Sequence, residues 1–130
     1  MDPARAAIEL HADTINRRAA DEYRNTMHYP FTYQNYNGVA LTMTGPEECG
    51  VTEDFPWDII LRTDPAWSHT VFDAVEEVAR SAGSAVYKVT FRRIDQSGNA
   101  SVPYDAIWIV TLRDGKWAIQ FRHNLGPRAD

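Results

Sequence analysis

The sequence predicts an α+β domain in which one long N-terminal helix precedes a meander of antiparallel strands. Three observations support this prediction: an amphipathic pattern at the N-terminus, an Asn-Gly turn between two β-prone runs, and alternating apolar residues in the C-terminal half. A helix followed by a run of strands is typical of the α+β class. With 130 residues, the chain has the size of a single domain.

The N-terminal helix is predicted to begin at Asp2-Pro3, because Asp is a favoured N-cap residue and proline is tolerated at the first helical position. Small or apolar residues then recur in steps of three and four as far as Met27, which is the spacing of one helix face. Because Pro30 disfavours helical geometry at the residue before it, the helix is predicted to end near Tyr29.

Two short strands are predicted next, over residues 31–36 and 39–44, with Asn37-Gly38 between them. This dipeptide is the strongest short hairpin signal, since both residues accept positive φ in a type I′ turn. The acidic, turn-rich stretch that follows contains a predicted short helix after Pro56, from Trp57 to Arg62.

The segment from Trp67 to Ala82 is ambiguous. Its Ala-Val-Glu-Glu-Val-Ala-Arg run favours a helix, whereas the β-prone residues from Ser68 to Phe72 favour a strand. On propensity alone, the segment is predicted to be helical.

Further strands are predicted over residues 85–94 and 101–112, and a last strand follows the turn at Asp114-Gly115. The middle one is apolar on both faces, which is typical of a central, covered strand. The alternating residues of the last strand are Trp117, Ile119, Phe121 and His123. Since alternate residues of a strand share a face, His123 is expected to look toward the interior.

Composition limits the classes of partner. Thirteen basic against eighteen acidic side chains give a net charge of -5, and binding to a phosphate backbone draws on a basic surface, so no nucleic-acid partner is expected. Cys49 is the only cysteine, which excludes an internal disulfide and a cysteine-cluster zinc site. No His pair has metal-ligand spacing and no dinucleotide fingerprint occurs, so neither metal nor cofactor is predicted.

The same reasoning gives an expected location. No apolar run approaches the roughly 20 residues that span a bilayer, so no membrane partner is expected. The N-terminus carries Asp2, Arg5 and Glu9 where a signal peptide has an apolar stretch. The expected location is therefore cytoplasmic.

The segment from Tyr104 to Ile119, in which Asp114-Gly115-Lys116-Trp117 joins two strands, together with the helix-first order, resembles the SnoaL-like branch of the nuclear transport factor 2-like superfamily. The resemblance covers nearly the whole chain. It implies a cone, in which a curved antiparallel sheet wraps around the N-terminal helix and leaves a pocket at the wide end. It also implies that residues 68–80 form a long strand, against their helical propensity.

The resemblance further implies a homodimer formed through the outer sheet face. Trp108 and Trp117 are expected on that face, where large exposed aromatic side chains indicate a subunit interface.

The superfamily includes ketosteroid isomerase, scytalone dehydratase and polyketide cyclases beside many non-enzymes, so the fold does not give the function. One hypothesis is a cofactor-independent acid/base enzyme, of dehydratase, isomerase or cyclase type, acting on a hydrophobic oxygenated small molecule. The alternative is a non-catalytic domain that binds a small apolar ligand or a protein partner. The aromatic content of 12% suits a ring-lined pocket.

Asp105 is the most informative carboxylate, because Val102-Pro103-Tyr104-Asp105 resembles the strand that supplies the oxyanion-hole acid of ketosteroid isomerase. In an apolar pocket walled by Tyr33, Phe91 and Phe121, burial would raise its pKa. In an ion pair with Arg92 or Arg122, its pKa would fall instead. Both alternatives stand at this stage.

The base of that isomerase falls on Asn35 in this sequence, and an amide cannot take a proton near neutral pH. A dehydratase-like set is chemically sensible, in which His69 or His123 is the base, Asp105 orients it and Tyr33 donates a phenolic proton. His11 is expected on the helix surface. The candidate ligand-binding residues are Trp57, Tyr23, Phe91 and Phe121.

Overall fold

The computed structural model describes residues 2–129, and its strands form one six-stranded sheet in the order β2-β1-β6-β5-β4-β3. The helices are α1 (Pro3–Arg17), α2 (Ala20–Arg24) and α3 (Pro56–Thr63), with a 3₁₀ turn at Pro46–Glu48. The strands are β1 (Met27–Asn35), β2 (Ala40–Met43), β3 (Trp67–Arg80), β4 (Ser84–Asp95), β5 (Tyr104–Arg113) and β6 (Lys116–Pro127). The predicted α+β class is confirmed.

The sheet is mixed, because β1 and β6 run parallel while β1–β2, β3–β4, β4–β5 and β5–β6 are antiparallel pairs. It packs its inner face on α1, which contacts β3, β5 and β6. The core lies between them, where Ile8 of α1 and Val89, Val110 and Ile119 of the sheet are fully buried. No helix among the described residues is long and apolar enough to cross a membrane.

The predicted single helix as far as Tyr29 is wrong. Arg18 adopts a left-handed conformation with φ 53° and ends α1, and β1 already begins at Met27. The apolar spacing continues through the break because Tyr23 of α2 and Met27 are also core residues, so periodicity alone could not reveal the break.

The Asn37-Gly38 hairpin forms, but its turn is not type I′. Only Gly38 has positive φ, at 92°, and the Asn35 N–H donates to the Val39 carbonyl across a three-residue loop (2.8 Å). Positive φ at both central residues occurs instead at Asp114-Gly115, with 51° and 76°.

The segment of ambiguous propensity is the long strand β3, as the resemblance implied, and it pairs with β4 along most of its length. The Ser81 N–H donates to the Ser84 carbonyl at the turn between them (2.8 Å). Tertiary pairing therefore overrides the local preference for helix.

A β-bulge in β6 decides which side chains face inward. Val110 pairs with Ile119, whereas Ile109 pairs with Phe121, so Gln120 is an extra residue in β6. Such an insertion reverses the inward and outward positions on either side of it.

Beyond the bulge, Arg122 and Asn124 are buried on the inner side, while Phe121 and His123 lie on the outer face. The His123 ring there is 3.3 Å from the Gln34 amide oxygen. The expectation that His123 looks inward with Ile119 is therefore wrong.

The expected positions of Trp108 and Trp117 are also wrong. Trp108 alternates in step with the core residue Val110, and it is buried on the inner face. Trp117 lies beside the start of α1, next to Pro3 and Ala6. The homodimer stays a prediction, without these two side chains as its basis.

Candidate functional site

A cavity lies between the concave inner face of the sheet and the helices α1 and α3, with a free volume of about 60 Å³. This is several times the space that one enclosed water needs. Its apolar wall is formed by Ala12, Ile15, Pro56, Ile60, Phe72, Phe91, Ala106 and Trp108. Its polar wall is formed by Asn16, Tyr33, Thr70, Arg93, Arg122 and Asn124.

In the part of the chain that the structure describes, no carboxylate, imidazole or thiol lines this cavity. No group of three or more His, Cys, Asp or Glu side chains within residues 2–129 is arranged to hold a metal ion. The ionisable groups on the wall are therefore one phenol and two guanidinium groups.

The guanidinium of Arg122 is the most unusual of these groups. The residue is only 8% exposed, and its guanidinium carbon lies over the rings of Tyr33 (4.6 Å), Phe31 (5.4 Å) and Trp108 (5.7 Å). Cation–π attraction of this kind is strongest where water is excluded.

Arg122 nevertheless has few hydrogen-bond partners. Nη2 is 3.4 Å from the Tyr23 hydroxyl, and Nε is buried without an acceptor among residues 2–129. No carboxylate in that range lies within salt-bridge distance of it. A guanidinium carries five N–H donors, so most of its donor capacity is unused.

Arg93 is the second cation on the wall. Its guanidinium carbon lies 4.8 Å from the Tyr104 ring centroid, and its Nε is buried with no acceptor in the described residues. The two arginines reach the same cavity from different strands, Arg93 from β4 and Arg122 from β6.

Asn16 has a structural task at the cavity. Its amide nitrogen donates to the Thr70 carbonyl and its amide oxygen accepts the Thr70 N–H, both at 2.8 Å. These two hydrogen bonds hold α1 against β3 and leave the Asn16 amide little capacity to bind a ligand.

His11, expected on the helix surface, is fully buried behind the cavity. The Thr26 hydroxyl donates to the Tyr23 carbonyl, so it accepts from His11 Nδ1 (2.7 Å), and Nε2 is left without a hydrogen-bond partner in residues 2–129. Burial, together with the nearby positive charge of Arg122, holds the His11 pKa well below its usual range. The ring is therefore neutral.

Asp105 lies outside the cavity, on the outer face of β5. Its carboxylate accepts from Arg128 Nη2 (2.7 Å) and Nε (2.9 Å) and from the Thr90 hydroxyl (2.8 Å). The hydrogen bonds from Arg128 lower its pKa to about 2. The ion-pair alternative is the correct one, but its partner is Arg128; Arg92 pairs with Asp73 instead.

The proposed His–Asp–Tyr set is not assembled. His69 contacts the Ser68 hydroxyl (3.1 Å) and does not line the cavity, and His123 and Asp105 are on the outer face. Of the predicted set, only Tyr33 reaches the cavity. Burial raises the Tyr33 pKa.

The predicted ligand-binding residues divide in the same way. Phe91 lines the cavity, and Phe121 is on the outer face. Tyr23 and Trp57 form a buried aromatic cluster with Phe55, in which Phe55 and Trp57 stack at 4.5 Å. This cluster supports α3, whose residues Pro56 and Ile60 close the cavity.

The sequence analysis missed Arg93 and Arg122 as site residues. The available signal was an arginine within an alternating apolar strand, where a charge is costly without a partner. For Arg122 the alternation pointed outward, because the bulge at Gln120 leaves no sign in the residue pattern.

No known family model and no curated protein matches this sequence. Solved structures do match the fold. An uncharacterized protein with a cystatin-like fold from Caulobacter vibrioides superposes with a TM-score of 0.72 at 17% identity, over 99% of this chain and 90% of that one. An NTF-2-like protein of unknown function from Shewanella oneidensis gives 0.62 at 14% identity, over 92% and 93%. This chain has the nuclear transport factor 2-like fold.

A ketosteroid isomerase-like protein from Erwinia carotovora atroseptica shares the nuclear transport factor 2-like fold, with a TM-score of 0.65 at 14% identity, over 96% of this chain and 95% of that one. Identities this low carry the fold and nothing finer. The function has to be argued from the cavity.

Proposed function

We propose that this chain is a small-molecule-binding protein whose cavity takes a compact, largely apolar ligand without converting it. The observation that carries the proposal is the composition of the wall. Aromatic and aliphatic side chains line most of it, and a few polar groups converge on one side, which is the usual make-up of a ligand pocket.

The wall argues against the alternative of an acid/base enzyme. General acid–base catalysis needs a group whose pKa lies near the working pH. Burial raises the pKa of Tyr33, and arginine stays charged in proteins. Asn35, at the position of the isomerase base, cannot accept a proton. The resemblance to ketosteroid isomerase therefore supports a pocket and does not extend to its reaction.

The proposal includes assembly as a cytoplasmic homodimer through the outer face of the sheet. Val86, Ile109 and Phe121 are register partners across β4, β5 and β6 on that face, and each is partly exposed. Sedimentation at micromolar concentration tests the assembly, and a monomer would contradict it.

Filling the cavity tests the binding function. Ala12→Phe places a ring into the cavity from α1, whereas Ala6→Phe adds the same ring on the same helix at a surface groove. The measurement is the change in tryptophan fluorescence and in melting temperature with a library of small apolar compounds.

We expect wild type and Ala6→Phe to bind the same compounds and Ala12→Phe to lose them at least tenfold. Binding that survives equally in Ala12→Phe would contradict the proposed cavity, as would a library in which nothing binds wild type. Turnover of a bound compound would contradict the non-catalytic part of the proposal.

A further inference from the structure

Resting on the proposed binding function, we propose that the cavity is selective for a small organic monocarboxylate, whose carboxylate pairs with Arg122 while its apolar body lies among the aromatic rings. Two observations carry this inference. One is the buried guanidinium, which has no anionic partner within residues 2–129, and the other is the shape and chemistry of the space beside it.

A buried charge is costly unless it is paired and hydrogen-bonded. Even partly exposed arginines of this chain have carboxylate partners: Arg80 pairs with Asp2, Arg92 with Asp73 and Arg128 with Asp105. Arg122 is more buried than any of these three, yet it has no carboxylate partner in residues 2–129. An anion entering the cavity would supply the missing partner.

The aromatic rings explain how the unpaired state persists. Tyr33, Phe31 and Trp108 surround the guanidinium at 4.6–5.7 Å, and these rings attract a cation without consuming its N–H donors. The cation is therefore held in place while its donors stay available. Because the buried Nε has no acceptor among the residues that the structure describes, the group can donate a further hydrogen bond.

The chemistry of the donors favours a carboxylate. A guanidinium presents its N–H groups as a planar fork that matches the two oxygens of a carboxylate. Arg93 on the same wall adds positive charge, in a chain whose overall charge is -5. Among residues 2–129, no acidic side chain lines the cavity to oppose an anion.

The rest of the cavity determines the body of the ligand. Phe72, Phe91 and Trp108 offer rings, and Ile15 and Ile60 offer aliphatic contacts. A free volume of about 60 Å³ limits the ligand to a compact molecule. A short aromatic or branched acid fits this description better than a nucleotide or a long-chain fatty acid.

The test compares benzoate with benzyl alcohol, which has a similar body and no charge. Both are titrated by calorimetry into wild type, Arg122→Met and Arg128→Met. Methionine keeps a long unbranched side chain without the charge, and Arg128 offers a matched change on the outer face. Benzoate should bind wild type and Arg128→Met at least tenfold more tightly than benzyl alcohol, and Arg122→Met should lose this preference.

Two further measurements keep the result decisive. Arg122→Lys retains the positive charge without the planar guanidinium, so it should keep only part of the preference for benzoate over benzyl alcohol. This variant also tests the inference if Arg122→Met does not fold. Phenyl phosphate is the competing anion. If it binds more tightly than benzoate, the assignment to carboxylates is overturned.

The outcomes separate this inference from the function on which it rests. If benzyl alcohol binds as tightly as benzoate and Ala12→Phe abolishes both, the cavity stands and the carboxylate selectivity is overturned. If neither compound binds and the apolar library also fails, the binding function itself is wrong.

Discussion

Charged side chains have different partners on the inner and outer faces of the sheet. On the outer face, Asp105 and Arg128 satisfy each other through two hydrogen bonds, and Thr90 adds a third. On the inner face, Arg122 is more deeply buried and has aromatic rings around it instead of a carboxylate. The outer ion pair therefore has both of its members within the chain, whereas the inner cation has no anionic partner among the described residues.

This difference also explains why the predicted carboxylate Asp105 is not part of the cavity. An acidic residue in an apolar strand suggests a functional acid, but the alternation of the strand places Asp105 on the outer face, where it pairs with Arg128. The residue that the fold isolates is a cation, and the bulge at Gln120 is what turns it inward.

The largest effect should come from removing the inner wall. Trp108→Ala removes a buried ring that contacts His11, Phe72 and Arg122, and it should lower the free energy of unfolding by about 3–5 kcal/mol. Ile107→Ala, on the adjacent outward position, should cost about 1–2 kcal/mol, because that side chain is only partly buried. Chemical denaturation measures both, and equal losses would contradict the assignment of faces.

Removing the inner cation should have the opposite sign. Arg122→Met eliminates a buried charge that has no carboxylate partner in the described part of the chain, so the ligand-free protein should gain about 1–3 kcal/mol in free energy of unfolding. Arg128→Met breaks a completed pair and should lose stability by about 1 kcal/mol. A loss of stability in Arg122→Met would show that the aromatic rings already satisfy the guanidinium, and it would remove the reason to expect an anion.

The buried histidine His11 extends the comparison to pH. Since the folded pKa of His11 is depressed below its ordinary value of 6.5, its contribution to stability is complete above that pH and is lost as the pH falls. Between pH 6.5 and 5, we expect a loss of about 1–2 kcal/mol from this group. Denaturation of His11→Asn across that range should show a flatter slope of stability against pH than wild type, and an unchanged slope would contradict the assignment to His11.

Most of the fold could be predicted from the sequence, because its signals are local. The apolar pattern of the residues predicted β4 and β5, and the glycine-containing turns predicted the hairpins. The strand β3 could not be derived this way, since its Ala-Val-Glu-Glu-Val-Ala-Arg run favours a helix and only pairing with β4 makes it a strand. The break at Arg18 was hidden for another reason: the core spacing continues through Tyr23 and Met27.

The candidate site was much less predictable than the fold. A side chain enters this cavity only if its strand has the correct phase, and one inserted residue reverses that phase. Phe91 lies in β4, whose pairing with β5 has no register shift, and it was placed correctly. Tyr33 was also placed correctly, although the pairing of β1 with β6 shifts register before it. His123 and Phe121 follow the bulge at Gln120 and were placed on the wrong face, and Arg122 was missed for the same reason.

The smallest effect concerns the completed outer pair. Asp105→Asn keeps the shape of the side chain and removes its charge, so the hydrogen bonds from Arg128 weaken. Because half of the Arg128 side chain is exposed, solvent screens the pair, and the loss at pH 7 should be about 1 kcal/mol.

The pH dependence of that loss has a definite sign. The folded pKa of Asp105 is about 2, below its ordinary value of 3.8, so its contribution is complete above pH 3.8 and disappears as the pH falls toward 2. The stability difference between wild type and Asp105→Asn should therefore shrink across this interval. Asp73→Asn is the matched control, because the Asp73 carboxylate that pairs with Arg92 is more exposed than that of Asp105, and it should change stability less. Because Asp105 lies on the outer face, benzoate should bind Asp105→Asn as it binds wild type. A variant that is as stable as wild type but binds benzoate differently would instead connect Asp105 to the cavity and contradict the separation of the two faces.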